Sequence, residues 1–160
     1  MNKVSLEFIR TPLRSFTFES PAIKKYVEDN CEGKVLNLFA GKVKLSIDEF
    51  RVDLDKTYKP DFIGDAYEYI KNCKAKFDMV LLDPPYSYRK SMEYYNGNYT
   101  SKFKLIADEI KKLGIKKVIS FGYHTTFMGK IRGYELKKIC ILGHSGAQHA
   151  TLVITEITED

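Results

Sequence analysis

The sequence predicts one α/β domain with a mostly parallel sheet, reduced helices between its first three strands and an antiparallel strand pair near its C-terminal end. Three observations carry this reading. Short apolar runs bounded by turn signals recur at Val35–Phe39, Phe50–Leu54, Asp61–Ile63, Met79–Leu82 and Lys117–Phe121, and most read as strands buried on both faces. Helical patterns lie between the later runs, at Ala66–Cys73 and Ser101–Leu113, and alternation of strand with helix belongs to α/β folds. Two long β-rich runs follow, Tyr134–Leu142 and His149–Ile157, joined by a link that contains Gly143 and Gly146.

Ahead of the first strand, Leu13–Phe18 reads as an extended arm carrying Phe16 and Phe18. A helix is predicted over Pro21–Asn30, with Ser20 as N-cap, Pro21 in the first helical position and Gly33 beyond the end. Ile23, Tyr26 and Val27 form its apolar stripe. Residues 1–33 are thus an arm and helix, and 34–160 the core of a single domain, since 160 residues leave no room for a separate recognition domain. With 44% apolar and 29% charged residues the chain can pack an interior. No apolar run reaches the ~18 residues of a membrane span, so a soluble, cytoplasmic protein is expected. Cys31, Cys73 and Cys140 are odd in number and none sits in a CxxC pair, which supports neither a disulfide framework nor a metal site.

The net charge of +5 is unevenly placed. Ten Lys and Arg lie between Ser101 and Lys138 against Asp108, Glu109 and Glu135, whereas Cys140–Asp160 contains none. A positive surface in the second half would attract phosphates.

The most telling segment is Asp83-Pro84-Pro85-Tyr86, directly after Met79–Leu82. In an open α/β sheet, ligands bind outside the carboxyl ends of the strands, where this tetrapeptide stands. Its composition suits an amino group on a nucleic-acid base. That nitrogen's lone pair is delocalised into the ring and becomes nucleophilic when its hydrogens are held by acceptors. Asp83 offers a carboxylate for one hydrogen and Pro84 a carbonyl for the other, while Pro85 fixes the backbone and removes a competing donor. Tyr86 presents a flat face on which an extruded base can stack. The plain alternative is a Pro-Pro turn with a solvated aspartate and a packed tyrosine.

This tetrapeptide is similar to the fourth motif, Asp/Asn/Ser-Pro-Pro-Tyr/Phe, of the class I, Rossmann-like S-adenosylmethionine-dependent amino-methyltransferases, and other segments resemble that family's motifs in the same order. Val35-Leu36-Asn37-Leu38-Phe39-Ala40-Gly41 resembles the first motif, a strand ending in a glycine loop under the cofactor, and implies cofactor contacts from Asn37, Leu38, Phe39, Ala40 and Gly41. Val52-Asp53-Leu54-Asp55 resembles the second, in which an acidic residue, here Asp53 rather than Asp55, takes the ribose hydroxyls. Asp65-Ala66 resembles the third, with Asp65 accepting from the adenine amino group and the Ala66 N–H serving the ring. Asp65 equally reads as the N-cap of the helix that begins at Ala66.

The likeness spans approximately Phe16 to Ile157 and extends to small archaeal and phage-type methyltransferases built as a bare catalytic domain. It implies S-adenosyl-L-methionine as cofactor and methylation of cytosine N4 or adenine N6. RNA such as rRNA or tRNA is favoured over DNA, because a folded RNA presents its target base by shape and needs no added recognition domain. A DNA methyltransferase, a glutamine-directed protein methyltransferase and a catalytically silent RNA-binding module are the rival readings. For substrate contacts the candidates are Tyr88, Arg89, Lys90, Tyr94, Tyr95 and Tyr99, in a segment where aromatic and basic residues interleave. His124 and the Ser145–His149 turn stand after later strands and would line a target pocket.

Two departures from the family's pattern have structural consequences. Gly41 is followed by Lys42 and Val43, leaving one glycine where the family has two. The first three strands lie closer together than parallel crossovers with helices allow. The sheet face left bare is then to be covered by the N-terminal arm and helix or by a second subunit in a homodimer.

Overall fold

A computed structural model of the chain describes residues 3–12, 14–84, 98–144 and 149–159, with the side chains of residues 98–101 outside the description. Eight strands form one sheet: β1 Ser5–Arg10, β2 Val35–Leu38, β3 Glu49–Asp53, β4 Phe62–Ile63, β5 Met79–Leu82, β6 Lys117–Gly122, β7 Tyr134–Gly143 and β8 Thr151–Thr158. Their spatial order is β1-β7-β8-β6-β5-β2-β3-β4. Neighbours from β6 through β4 run parallel, β8 is antiparallel to both β6 and β7, and β1 lies parallel to β7. The α/β class, the parallel core and the antiparallel β7–β8 pair are as the sequence predicts.

β2 and β5 are side by side at the centre and buried along their whole length, which is why both read as apolar runs, interrupted only by Asn37 in β2. On one face, α1 Pro21–Asn30 packs Ile23, Tyr26 and Val27 against Val35, Met79, Leu81, Ile119 and Val153. On the other, α2 Ala66–Lys71 and α3 Asn98–Lys112 bring Ala66, Ile70, Ile106 and Ile110 onto Leu36, Leu38, Val80 and Val118. Burial of such side chains contributes roughly 1.5–3 kcal/mol each. The arm and helix therefore cover the sheet face that the short crossovers leave open. Ser20 occupies the N-cap position of α1, but its hydroxyl bonds Thr11 Oγ1 at 2.8 Å rather than the helix, tying the arm to β1.

Three expectations are corrected. β1 was not expected: Leu6 and Phe8 on one face are 68% and 65% exposed, and on the other Ser5 and Glu7 are exposed while only Ile9 packs against the core, so no buried alternation marks a strand. β4 is not buried on both faces: it is a two-residue edge strand with both residues exposed. The arm is not wholly extended, since Thr17–Glu19 forms a 3-10 turn. No helix among the described residues is long and apolar enough to cross a membrane. Burial pushes the Cys31 thiol up to about 12 and that of Cys140 to about 11, which keeps both protonated and poorly reactive.

A polar cluster sits inside this apolar frame. Asn37, fully buried in β2, donates to Glu49 Oε2 at 2.9 Å, and Glu49 Oε1 accepts from the Leu45 N–H at 3.0 Å. Burial raises the pKa of Glu49 above its ordinary value despite the pull of Asn37, the Leu45 amide and Arg51. A raised carboxyl binds its proton more tightly in the folded chain than in the unfolded one. Its contribution is therefore greatest below the ordinary glutamate pKa and declines as pH rises through the raised value. Glu49→Gln removes that dependence, and its amide can serve the Asn37 Oδ1, which has no hydrogen-bond partner among the described residues. Thermal unfolding from mildly acidic to neutral pH should show the parent losing stability relative to Glu49→Gln as pH rises; a difference that grows the other way would contradict the assignment.

Candidate active site

The strand order reverses direction at β2, with β3 and β4 on one side and β5 and β6 on the other. A crevice outside the carboxyl ends of β2 and β5 follows from that topology. β2 ends at Leu38, after which Phe39 and Gly41 take left-handed conformations, φ +62° and +68°. A left-handed phenylalanine is unfavourable by about 1 kcal/mol or more, and it is held by packing: its ring stacks on Phe103 at 6.0 Å and 29°. A Cβ on Gly41 would meet only the Phe16 ring, at 3.5 Å, so backbone conformation rather than crowding by the protein requires glycine there.

Asp53, at the end of β3, accepts from the Gly41 N–H at 2.8 Å through Oδ2 and from the Asp55 N–H at 2.9 Å through Oδ1. Each oxygen keeps a further acceptor site. Asp55 instead turns to Thr57, accepting from its N–H at 2.9 Å and its hydroxyl at 2.6 Å, hydrogen bonds that lower its pKa. Of the two carboxylates, only Asp53 reaches the crevice.

The crevice is a cavity of about 260 Å³ whose lining includes Phe39, Gly41, Asp53, Tyr58, Asp83 and Pro84. Its outer wall is the N-terminal arm, Arg14 to Phe18. The Phe16 ring stands edge-on to Tyr58 at 5.5 Å and 88°, the Lys42 ammonium lies 4.5 Å from the same ring, and Lys42 faces Glu19 at 3.7 Å. These contacts fasten the arm to the Gly41 loop. Sequence reasoning placed Phe16 and Phe18 on an arm but did not connect them to this cavity.

Pro84 also lines a second, smaller cavity of about 50 Å³, bounded by Phe103, Phe121, Tyr123, His124 and Phe127. Glu156, 1% exposed, shapes its wall. Its carboxylate accepts the backbone N–H groups of Phe127, Met128 and Gly129 at 2.9, 2.9 and 2.8 Å, fixing the loop that carries His124. A lone glutamate in a β-rich run gave no sign of this. His124 is solvent-exposed at the rim, and Tyr123 and His149 bring their rings within 5.7 Å.

Asp83, half-buried, and Pro84, buried, stand at the end of β5 as predicted. Phe39, Ala40, Gly41 and Asp53 are gathered at the same cavity. Asn37 and Leu38 are not. Both are fully buried within β2, and Asn37 is engaged with Glu49. Ala66 packs in the core. Asp65 caps α2 by accepting from Glu68 N–H at 3.1 Å and pairs with Lys102 at 2.6 Å, lining neither cavity. Pro85, Tyr86, Tyr88, Arg89, Lys90, Tyr94, Tyr95, the Tyr99 side chain and the Ser145–Gln148 turn lie outside the described residues. The predicted positive surface is partly neutralised, because Lys102, Lys112, Lys117, Arg132 and Lys137 each pair with a carboxylate.

No protein family and no curated protein matches the chain by sequence. Solved structures do match its fold. TrmN from Thermus thermophilus superposes with a TM-score of 0.61 at 12% identity, over 86% of this chain and 48% of that one. The Pyrococcus abyssi tRNA (uracil-54, C5)-methyltransferase, solved with S-adenosyl-L-homocysteine, superposes with a TM-score of 0.57 at 14% identity, over 92% of this chain and 40% of that one. The chain spans less than half the length of either. It has the α/β fold of a Rossmann-like methyltransferase domain.

Proposed function

We propose that the chain is an S-adenosylmethionine-dependent methyltransferase that modifies an exocyclic amino nitrogen of an RNA base, cytosine N4 or adenine N6. The observation that carries this reading is the meeting of Asp83 and Pro84 with Gly41 and Asp53 around one cavity. An adenosyl ligand needs acceptors for its ribose diol and a backbone close enough to pass beneath it. Asp53 and the left-handed Gly41 loop suit those needs, and the Phe16, Phe39 and Tyr58 rings suit its apolar parts. When bound, it supplies a methyl group on a sulfonium, electrophilic without a metal.

The chain's own work is orientation. Asp83 and the Pro84 carbonyl hold the hydrogens of the amino group so that its lone pair points at the methyl carbon. The cofactor, held by Asp53 and the Gly41 loop, would supply the methyl group, its sulfur leaving as a neutral thioether, and the extra proton on nitrogen would pass to water. No strong general base is required, because approach and alignment dominate such an in-line displacement. The smaller cavity beyond Pro84, with its aromatic walls, suits the base that carries the amino group. RNA is supported by the tRNA substrate of the Pyrococcus neighbour. That neighbour acts on a ring carbon, so the amino target rests on the Asp83–Tyr86 segment.

Asp53→Ala should weaken S-adenosylhomocysteine binding by about 1–3 kcal/mol, the scale of lost charged hydrogen bonds; unchanged calorimetric affinity would point to a different ribose acceptor. With bulk RNA as substrate, Asp83→Ala should bind both ligands yet lose most of its single-turnover methyl transfer, as expected for an interaction that strengthens in the transition state. Near-parent turnover in that variant would sink the amino-methyltransferase reading.

A further inference from the structure

We propose that Arg51 is a positioning residue that sets the ligand-binding conformation of the Gly41 loop, doing through its guanidinium what a crossover helix would otherwise do. The proposal rests on the methyltransferase reading, in that the ligand is taken to be adenosyl. Arg51 lies in β3, two residues before Asp53, and is 3% exposed. One of its terminal nitrogens donates to the Gly41 carbonyl. The other donates to the carbonyls of Tyr58 and Lys59 at 3.2 and 3.4 Å. Its Nε faces Glu49 Oε1 at 3.6 Å, and its backbone N–H is held by Asp61 Oδ2 at 2.7 Å.

Three features make this more than a core ion pair. Gly41 and Tyr58 come from different loops, and both line the large cavity, so one rigid, planar side chain fixes the spacing of two of its walls. The carbonyl it holds on Gly41 belongs to the residue whose N–H is held by Asp53; Arg51 and Asp53 clamp one peptide region from two directions. Lys59 takes a left-handed φ of +52°, a conformation that needs such an anchor. The Glu49 carboxylate next to it compensates the buried charge and aims the fork. Nothing in the sequence marks Arg51, which reads as one cation among many.

Calorimetric titration of the full chain with S-adenosylhomocysteine tests the idea. Binding by the parent upholds the methyltransferase reading; its absence removes that reading and the role of Arg51 with it. Given parent binding, Arg51→Ala should bind about tenfold or more weakly, and millimolar guanidinium should restore several-fold of that loss while leaving the parent's affinity unchanged. A purely structural role predicts lower thermal stability without such rescue. If Arg51→Ala does not fold, the double variant Glu49→Gln/Arg51→Met replaces the buried pair with neutral groups of similar length, an exchange that folded proteins tolerate. It should melt near the parent temperature and still bind about tenfold more weakly. Parent-like affinity in either folded variant overturns the proposal, and so does failure of both to fold, which would make Arg51 a residue of the core alone.

Discussion

Ten residues, Phe39 to Asp48, join the parallel strands β2 and β3, and much of the site follows from that shortness. A parallel connection normally uses a dozen or more residues and a helix that packs back on the sheet. Here the return is made by a loop, which buries little apolar surface of its own and must be fixed by hydrogen bonds. Ala40 N–H bonds the Val52 carbonyl at 3.0 Å, Gly41 bonds Asp53, and Leu45 bonds Glu49. All three acceptors lie on β3. The loop is laid along the strand that supplies the candidate ribose acceptor, so its geometry and that of Asp53 are one construction.

Such a construction places polar groups in the interior, where an unmet partner costs about 1–3 kcal/mol. Asn37, Glu49 and Arg51 form the buried part of it. Burial raises the Glu49 pKa against the pull of the hydrogen bonds it receives and of Arg51, the mark of a carboxyl held in a desolvated site. The cluster fixes one loop arrangement among several that an apolar core would tolerate. The aromatic arm has a related role from outside, since Phe16 is held between Tyr58 and Lys42, residues on the two loops that Arg51 links from within.

The parallel core was legible because strands buried on both faces are mostly apolar, a pattern that Met79–Leu82 shows throughout and Val35–Leu38 shows apart from Asn37. The place of Asp83 was legible for a similar reason: directly after such a strand it stands at the carboxyl end of the sheet, where ligands of open α/β folds bind. β1 escaped because an edge strand needs no inward apolar alternation. The roles of Asn37, Arg51 and Glu156 escaped for a different reason. Periodicity reports which face a residue occupies, whereas these side chains act through partners 12, 10 and 28 residues away, and that pairing exists only after folding. Asp65 shows both limits, since its N-cap role follows from its place before Ala66 while its pairing with Lys102 does not.

What the site offers chemically is set by which polar groups it lacks as much as by those it holds. Proline has no N–H, so Pro84, which lines both cavities, presents only a carbonyl as a polar backbone group. Its neighbour Asp83 presents a carboxylate. A carboxylate and a carbonyl are acceptors, matched to a group with hydrogens to give and poorly matched to a carbonyl or a ring nitrogen lone pair. Under the proposed function, an amino group would give a hydrogen to each and be held with its lone pair free. A hydroxyl has one hydrogen and can serve only one of the two acceptors. Under the proposed function, selection of nitrogen over oxygen thus arises from the same two acceptors that prepare the nitrogen to react.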